Sequence, residues 1–560
     1  MRYTAFIIGL LLIPGKNVSA NGQSLVSRAW VVDNRLTVEF SQAVEATDAY
    51  GFRLVGGVAR IEALLSRQNT KRLLFSLTDY VLPDDTFQLL YWSELGTLRQ
   101  GEFLISDWVS PVVNRAARYG GTGTLYYVAT TGRDTNPGIN SLLPLRTIAQ
   151  AQRLAQAGDY ILLRRGDVFR NTALRVTKSG RAGQYLTFGA YGQGAQPIVV
   201  HAEADLVTID DQHYVHIDNW HLQVQGDGEK GVYIMGDCQR PIISNCRVEG
   251  MGKPLYGINF GKNDGAGKKV VAPEILNNQV TGFMVNIIST GYPYDGTHEV
   301  EGGLIENNRS GETRAMKNGD GIDVQRGKFH GLVVRKNEVF GYYDDGIDLY
   351  GADNVIIEYN TVHNPQQPSD SGQGIKAGGL TRNEKIDGHQ STDIIIRYNT
   401  VHTLYNQMSN TGSQNGINTN DGASGEIYGN LVYNVQGYGI VVSGPIHQWR
   451  VHHNIVANAE KAALNVWTEG SRDNQVMIAH NILGGETSDI KITTRTTGKH
   501  IIGEGNQLFH QKTVGAYRSF SDRQADGSVI FYDPNRPDLG LKTAYHKYLS
   551  TSFPKKLKQE

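Results

Sequence analysis

The sequence predicts an all-β protein: a right-handed parallel β-helix, a solenoid of about ten coils, preceded by a small β-sandwich. Three observations carry this. The string apolar-x-x-Asn-x-apolar returns from Asn278 to Asn481 at intervals that suit one solenoid coil. Glycine fills 65 of the 560 positions, against a usual share of about 7%, and no Gly-x-y period points to collagen. Before residue 110 the chain reads in short alternating apolar runs, the period of half-buried strands.

Composition narrows the function classes before any motif does. Lys and Arg number 54 and Asp and Glu 55, a net charge of −1, so no global field draws the chain to nucleic acid or to an anionic membrane. Any charged ligand has to be met by a local site. No stretch approaches the eighteen apolar residues of a spanning helix, so no membrane insertion is expected, and a monomer is the simplest state.

Residues 1–20 read as a signal peptide: Met1-Arg2 gives a positive start, Phe6 to Ile13 an apolar run, and Val18-Ser19-Ala20 small residues for cleavage. The mature protein is therefore expected to be secreted or periplasmic. Cys238 and Cys246 are the only two cysteines; they suit a disulfide in an oxidising compartment, or equally two small buried side chains.

From 24 to 110 the runs Ala29–Val32, Arg35–Phe40, Arg72–Leu77 and Phe87–Trp92 predict the strands of the sandwich. No catalytic constellation falls there, so it reads as an accessory module. The alternation stops at Pro111, and residues 111–123, ending in the glycine-rich Tyr119–Gly123, read as a linker.

The solenoid is expected from 124 to 510, with 511–560 as a tail or cap. Its eight asparagines, Asn278, Asn308, Asn337, Asn360, Asn399, Asn430, Asn454 and Asn481, are separated by 30, 29, 23, 39, 31, 24 and 27 residues. Stacked coils lie about 4.8 Å apart, so an Asn in each turn can bond its own turn and its neighbours above and below as a ladder. Trp220 and Cys246 occupy the same slot in earlier coils. Thr147 to Gln156 reads as a helix that caps the open end, as terminal repeats require.

A second string, polar-Gly-Ile-polar, occurs at Asp320–Asp323, Asp345–Asp348, Gln373–Lys376 and Asn415–Asn418. Alignment gives two columns: Asp320, Asp345, Gln373 and Asn415 in one, and Asp323, Asp348, Lys376 and Asn418 three residues along. Strand alternation sends each Ile inward and the polar residue after it outward. With Asp344, five carboxylates crowd two adjacent coils, and like charges so close call for a cation. Hard oxygen donors without Cys or clustered His suit Ca²⁺. Lys376, one coil on, is a candidate general base, its neutral form favoured by a neighbouring metal. The same residues also read as turn caps, or as a structural Ca²⁺ staple with Lys376 as its ion-pair partner.

Asn318-Gly319-Asp320-Gly321, Asp344-Asp345-Gly346-Ile347-Asp348-Leu349-Tyr350 and Gly374-Ile375-Lys376-Ala377-Gly378-Gly379 together resemble the family 9 polysaccharide lyases, a group that includes pectate lyases. The stretch from Tyr126-Tyr127-Val128 through Pro144–Ile148, Gly158-Asp159 and Ala190-Tyr191-Gly192 is similar to the first coil of secreted β-helix lyases. The resemblance covers about residues 124–510 and leaves the sandwich aside. It implies Ca²⁺ ligands at Asp320, Asp344, Asp345 and Asp348, a Brønsted base at Lys376, and β-elimination at a 4-linked uronic acid in an anionic polysaccharide. It gives Asp323 no role.

The interval holding Lys376 is the longest, with insertions at 365–372 and 380–391, where solenoids carry binding loops. Arg382 is placed there to meet a substrate carboxylate, and Tyr342, Tyr343 and Tyr350 are candidates to stack on sugar rings. Asn415 and Asn418 extend the candidate substrate contacts. Other readings stay open: a β-helix glycosidase, in which Lys376 has no obvious role; a uronan epimerase, which shares the proton abstraction; and a non-catalytic polysaccharide-binding solenoid.

Overall fold

The computed structural model describes residues 26–32, 35–55, 61–65, 70–77, 87–114, 123–192, 194–227, 230–260, 268–287, 299–314, 319–325, 328–366, 372–378, 391–405, 414–420, 424–444, 448–468, 475–494, 501–509 and the short strands 513–514, 518–519 and 523–524. Residues 1–20, expected to be a signal peptide, most of the expected linker and the residues beyond 524 lie outside the described residues. The chain divides into two compact units, Met1–Gly120 and Gly121–Glu560.

In the first unit seven strands form one sheet, not two separate ones. Val26–Val32 pairs antiparallel with Arg35–Val44 on one side and parallel with Trp108–Asn114 on the other. That shared strand lets the sheet fold over, so that Phe52 lies 4.8 Å from Phe75 and 6.1 Å from Trp108, centroid to centroid. The expected two-sheet sandwich is thus a single sheet curled around its own core. Residues 111–114, expected to open the linker, instead finish the last strand, because Val112 is buried in the core of this unit.

The second unit is a parallel β-solenoid. Among the described residues it holds three long sheets of 15, 14 and 13 strands, here the first, second and third. One coil runs Val333–Arg335, Glu338–Phe340 and Ile347–Tyr350; the next runs Ile356–Glu358, Thr361–His363 and Gln373–Gly378. Inward residues Val334, Val339, Ile347 and Leu349, followed by Ile357, Val362, Ile375 and Ala377, are all fully buried. Each large aliphatic side chain so buried contributes about 1.5–3 kcal/mol.

The corner between the first and second sheets is held by asparagine. Asn337 donates its backbone N–H to Asn360 Oδ1 at 3.0 Å, and its Nδ2 to the same oxygen at 3.0 Å and to the Ile305 carbonyl at 2.9 Å. The pattern repeats from the Cys246 N–H, which bonds Asn278 Oδ1, down to Asn481, which bonds Asn506. Asn506 lies outside the sequence series because Gly503 stands where the string has an apolar residue, although Leu508 fits the last slot. The residue before each ladder position turns the corner with positive φ, as at Lys336, Tyr359 and Tyr398.

Two irregularities of the repeat have a packing cause. Ser310 stands where Val280 and Val339 flank it in the second sheet. Asn286 fills the corner slot that is glycine in adjacent coils, and the smaller Ser310 makes room, its Oγ accepting from Asn286 Nδ2 at 3.1 Å. Elsewhere that slot must be glycine: a Cβ on Gly346 would sit 2.4 Å from Val362 Cγ1 and 2.5 Å from the Gly374 carbonyl oxygen. Only a bare backbone lets the chain enter the third sheet so close to the second.

The helix Ile148–Leu154 begins at Thr147, whose hydroxyl accepts from the Gln150 N–H. It buries Ile148 and Ala151 in the solenoid core. Gln152 bonds the Arg175 carbonyl and the Thr177 N–H, satisfying the open edge of the third sheet. Cys238 and Cys246 are buried and unlinked, their thiols pushed up to about 12 by burial.

If the ladder holds the coils, Asn399→Ala should be costly. It leaves the Asn360 N–H and Nδ2 without their acceptor and the Ile357 carbonyl without its donor, an expected loss of about 1–3 kcal/mol for each orphaned buried group. Asn399→Asp should be no milder, since it buries a charge. Thermal unfolding midpoints indistinguishable from those of an exposed-site variant would contradict this.

Candidate functional site

Register in the third sheet pairs Asp323 with Asp348, Asp348 with Lys376, and Lys376 with Asn418. Their side chains alternate with Ile322, Ile347, Ile375 and Ile417, which are fully buried, so the column faces outward as the string implies. At the corner just before it runs a second polar ladder. Asp320 Oδ1 accepts the Asp345 N–H at 2.9 Å, Asp345 Oδ1 accepts the Gln373 N–H at 2.7 Å, and Asn415 Oδ1 accepts the Tyr438 N–H at 2.8 Å. Asn415 Nδ2 donates to Gln373 Oε1 at 2.7 Å. These positions need only an acceptor toward the next coil, which lets carboxylates replace amides at one end.

Lys376 joins the two columns. Its Nζ lies 2.9 Å from Asp345 Oδ2 and 3.0 Å from Asp348 Oδ2, and 5.2 Å from the centre of the Tyr350 ring. Gln325 Nε2 donates to Asp348 Oδ2 at 3.2 Å. The five acids form two sets that share Asp320: Asp320, Asp323 and Asp348, and Asp320, Asp344 and Asp345, with one oxygen from each residue within 4.8 Å of the others. Asp323, to which the family resemblance gives no role, thus stands in one set.

The electrostatics are those of excess negative charge. Burial, reinforced by Asp323, Asp345 and Asp348, pushes the Asp320 carboxyl well above the usual range. Burial also raises Asp345 to about 7, against the pull of Lys376. For Lys376 burial works against the charge, yet Asp345 and Asp348 outweigh it and hold the ammonium well above its ordinary value. Among the described residues Lys376 is the ammonium that faces these five carboxylates. An all-oxygen donor set with neither Cys nor His fits a hard divalent cation.

The other expected contacts divide. Asn415 is buried in the corner ladder, and Asn418 sits beside Lys376 with a buried Oδ1 that makes no hydrogen bond among the described residues. Tyr343 is half-buried, its N–H bonded to Thr313 Oγ1 and the Gly319 carbonyl. Tyr342 cannot stack on a sugar: it is fully buried in the core, because the chain turns inward after Gly341. Arg382, Asn318 and most of both insertions lie outside the described residues. Sequence reading missed Gln325, which no repeat marks. It also missed Tyr438, although Tyr438-Gly439-Ile440 is a further copy of the polar-Gly-Ile string.

A family model described as the Pel9A-like, right handed beta helix region matches residues 126–458. Among solved structures, pectate lyase Pel9A is 13% identical with a TM-score of 0.33, covering 66% of this chain and 79% of its own. The periplasmic alginate epimerase AlgG is 13% identical with a TM-score of 0.41, covering 65% and 77%. The catalytic unit of a GH87 α-1,3-glucanase from Streptomyces thermodiastaticus strain HF3-3 is 11% identical with a TM-score of 0.45, covering 88% and 90%. A curated relative, the uncharacterized protein YwoF of Bacillus subtilis (strain 168), is 28% identical over 142 residues, 23% of this chain and 30% of its own length. The chain therefore spans under a third of that relative.

A carboxyl whose folded pKa is raised stabilises the fold at low pH and loses that contribution as pH rises through the folded value. Without metal, the melting temperature should therefore fall between about pH 4 and pH 7, from the ordinary carboxyl value to that of Asp345 at about 7. Added Ca²⁺ should raise it more at the upper end than at the lower, and Asp345→Asn should flatten the profile. Melting in chelator that is independent of pH over this window would mean the charges are already compensated.

Proposed function

Since the chain belongs to the Pel9A-like right-handed β-helix family, we propose that it is a secreted, Ca²⁺-dependent polysaccharide lyase that cleaves 4-linked uronic-acid polymers by β-elimination. One observation carries the reading: a lysine set 2.9 and 3.0 Å from two carboxylates of a five-acid cluster, on an outward sheet face. A hydrolase working through paired carboxylates has no use for that amine.

Asp320, Asp344, Asp345 and Asp348 would hold the metal, with Asp323 in reach of the same set. Bound there, Ca²⁺ supplies neutralisation of the C6 carboxylate and so makes the C5 proton acidic. Once a bound cation offsets the Asp345 and Asp348 charges that hold Lys376 as an ammonium, its neutral Nζ would take that proton, the C5–H electron pair would form the C4–C5 double bond, and the C4 oxygen would leave with its electrons. The partly exposed Lys376 can reach a sugar on the face without leaving its strand, and its Asp345 and Asp348 partners fix where the amine points. Asn418, the next residue of the column, presents an acceptor for a substrate hydroxyl beside it.

Ultraviolet absorbance of an unsaturated product, followed on polygalacturonate and a panel of bacterial uronate polymers, tests this. Lys376→Ala should lose about 10²–10⁴-fold in turnover, the usual worth of a general base, while substrate affinity stays near wild type. Lys376→Arg should be nearly as inactive, since a guanidinium stays protonated. Chelator should abolish the absorbance change and Ca²⁺ restore it. Solvent-proton exchange at C5 without absorbance would make the protein an epimerase, and more than about a tenth of turnover left in Lys376→Ala would remove the lysine from the chemistry.

A further inference from the structure

Beyond Lys376 the third sheet continues through Asn415–Asn420, Ile440–Gly444, Ala462–Thr468 and Ser488–Thr494. The column of Lys376 passes through Asn418, Val441 and Asn465 to Lys491. At about 4.8 Å per coil, Asn465 is about 14 Å and Lys491 about 19 Å from the Lys376 position. Beyond Lys376 this column carries no carboxylate. Lys461 Nζ and Lys491 Nζ stand 5.4 and 5.6 Å from the centre of the Tyr438 ring, and Lys491 Nζ donates to the Tyr438 hydroxyl at 3.2 Å.

Two ammonium groups converge on one phenol, and among the described residues no carboxylate lies within ion-pair distance of either. Glu460, in the adjoining turn, is raised by burial and by Glu486 against the pull of Lys461, and neither acid is within ion-pair distance of these lysines. Beside them Asn465, nine-tenths buried, turns outward with an Oδ1 that makes no hydrogen bond among the described residues. Two residues along the same strand Trp467 is 37% exposed. Two cations with a free phenolic O–H suit a carboxylate, an orphaned amide oxygen suits a hydroxyl donor, and an exposed indole suits the C–H face of a ring. A uronic-acid sugar carries all three complements at once.

We propose that Tyr438, Lys461, Lys491, Asn465 and Trp467 form a remote subsite for one uronate of the polymer, three to four coils from Lys376. It rests on the reading of the third-sheet face as the polymer site, and it gives that face two unlike ends. A carboxylate is met through the acid cluster at one end and by ammonium groups at the other. A bound chain is held in one direction, and chains too short to reach both ends lose the second contact.

Calorimetric binding separates this from the lyase reading. The inactive Lys376→Ala protein is titrated, with Ca²⁺ present, with hexamers and dimers of galacturonate, mannuronate, guluronate and glucuronate, and with a carboxyl-reduced hexamer. The best uronate hexamer should bind at least about tenfold more weakly to Lys461→Gln/Lys491→Gln and to Trp467→Ala, with its dimer unchanged. Lys461→Arg/Lys491→Arg should keep the affinity, and added salt should weaken binding to the lysine pair more than to the glutamine pair. The carboxyl-reduced hexamer should not distinguish the variants. Equal hexamer affinity of the glutamine variant, or no uronate hexamer bound at all, overturns the subsite. Lysine-dependent binding without any unsaturated product from wild type would keep the subsite and overturn the lyase.

Discussion

Every feature of the site depends on in-register hydrogen bonding between coils. Parallel strands that stack without slippage carry residues 25 to 31 positions apart, such as Asp320 and Asp345 or Asp345 and Lys376, into direct contact. A one-residue slip would send Asp348 inward and Ile347 outward. What prevents it is not the outward face, where like charges push the coils apart. The asparagine corner and the buried Ile and Val columns hold the register, with donors and acceptors matched at each step. The acids are tolerated because the stabilising contacts lie elsewhere on the same coils.

That division explains how much could be read from the chain. The asparagine ladder was legible because each coil offers one Asn in an otherwise apolar string, and the acid columns because Gly-Ile pins the register at each copy. The glycine was read as part of a motif, but its cause, the approach of Gly346 to Val362, needs coordinates. Ser310 is unintelligible until Asn286 is seen beside it. Tyr342 was misjudged because the direction of a side chain at a corner depends on the turn, which the period of a strand does not encode.

The first unit shows the limit in another form. Its alternating runs mark strands, but whether Val26–Val32 belongs to one layer or bridges two depends on the parallel pairing with Trp108–Asn114, about eighty residues away. Nothing local records such a partner. The lysines around Tyr438 were hidden for a similar reason: they come from separate coils and share no repeated string. Charge composition could not reveal them either, since a balanced total conceals an acidic end and a basic end on one face.

The two thiols have a wider meaning. Both cysteines of the chain are sealed in the solenoid as small apolar groups, and no covalent bond ties one coil to another. The cross-links are hydrogen bonds, made by the same backbone that makes the strands. Folding of this chain therefore includes no oxidation step and no shuffling of wrong pairings. The native state is equally accessible in a reducing cytoplasm and an oxidising exterior, so its assembly is indifferent to the redox poise of the compartment in which it takes place.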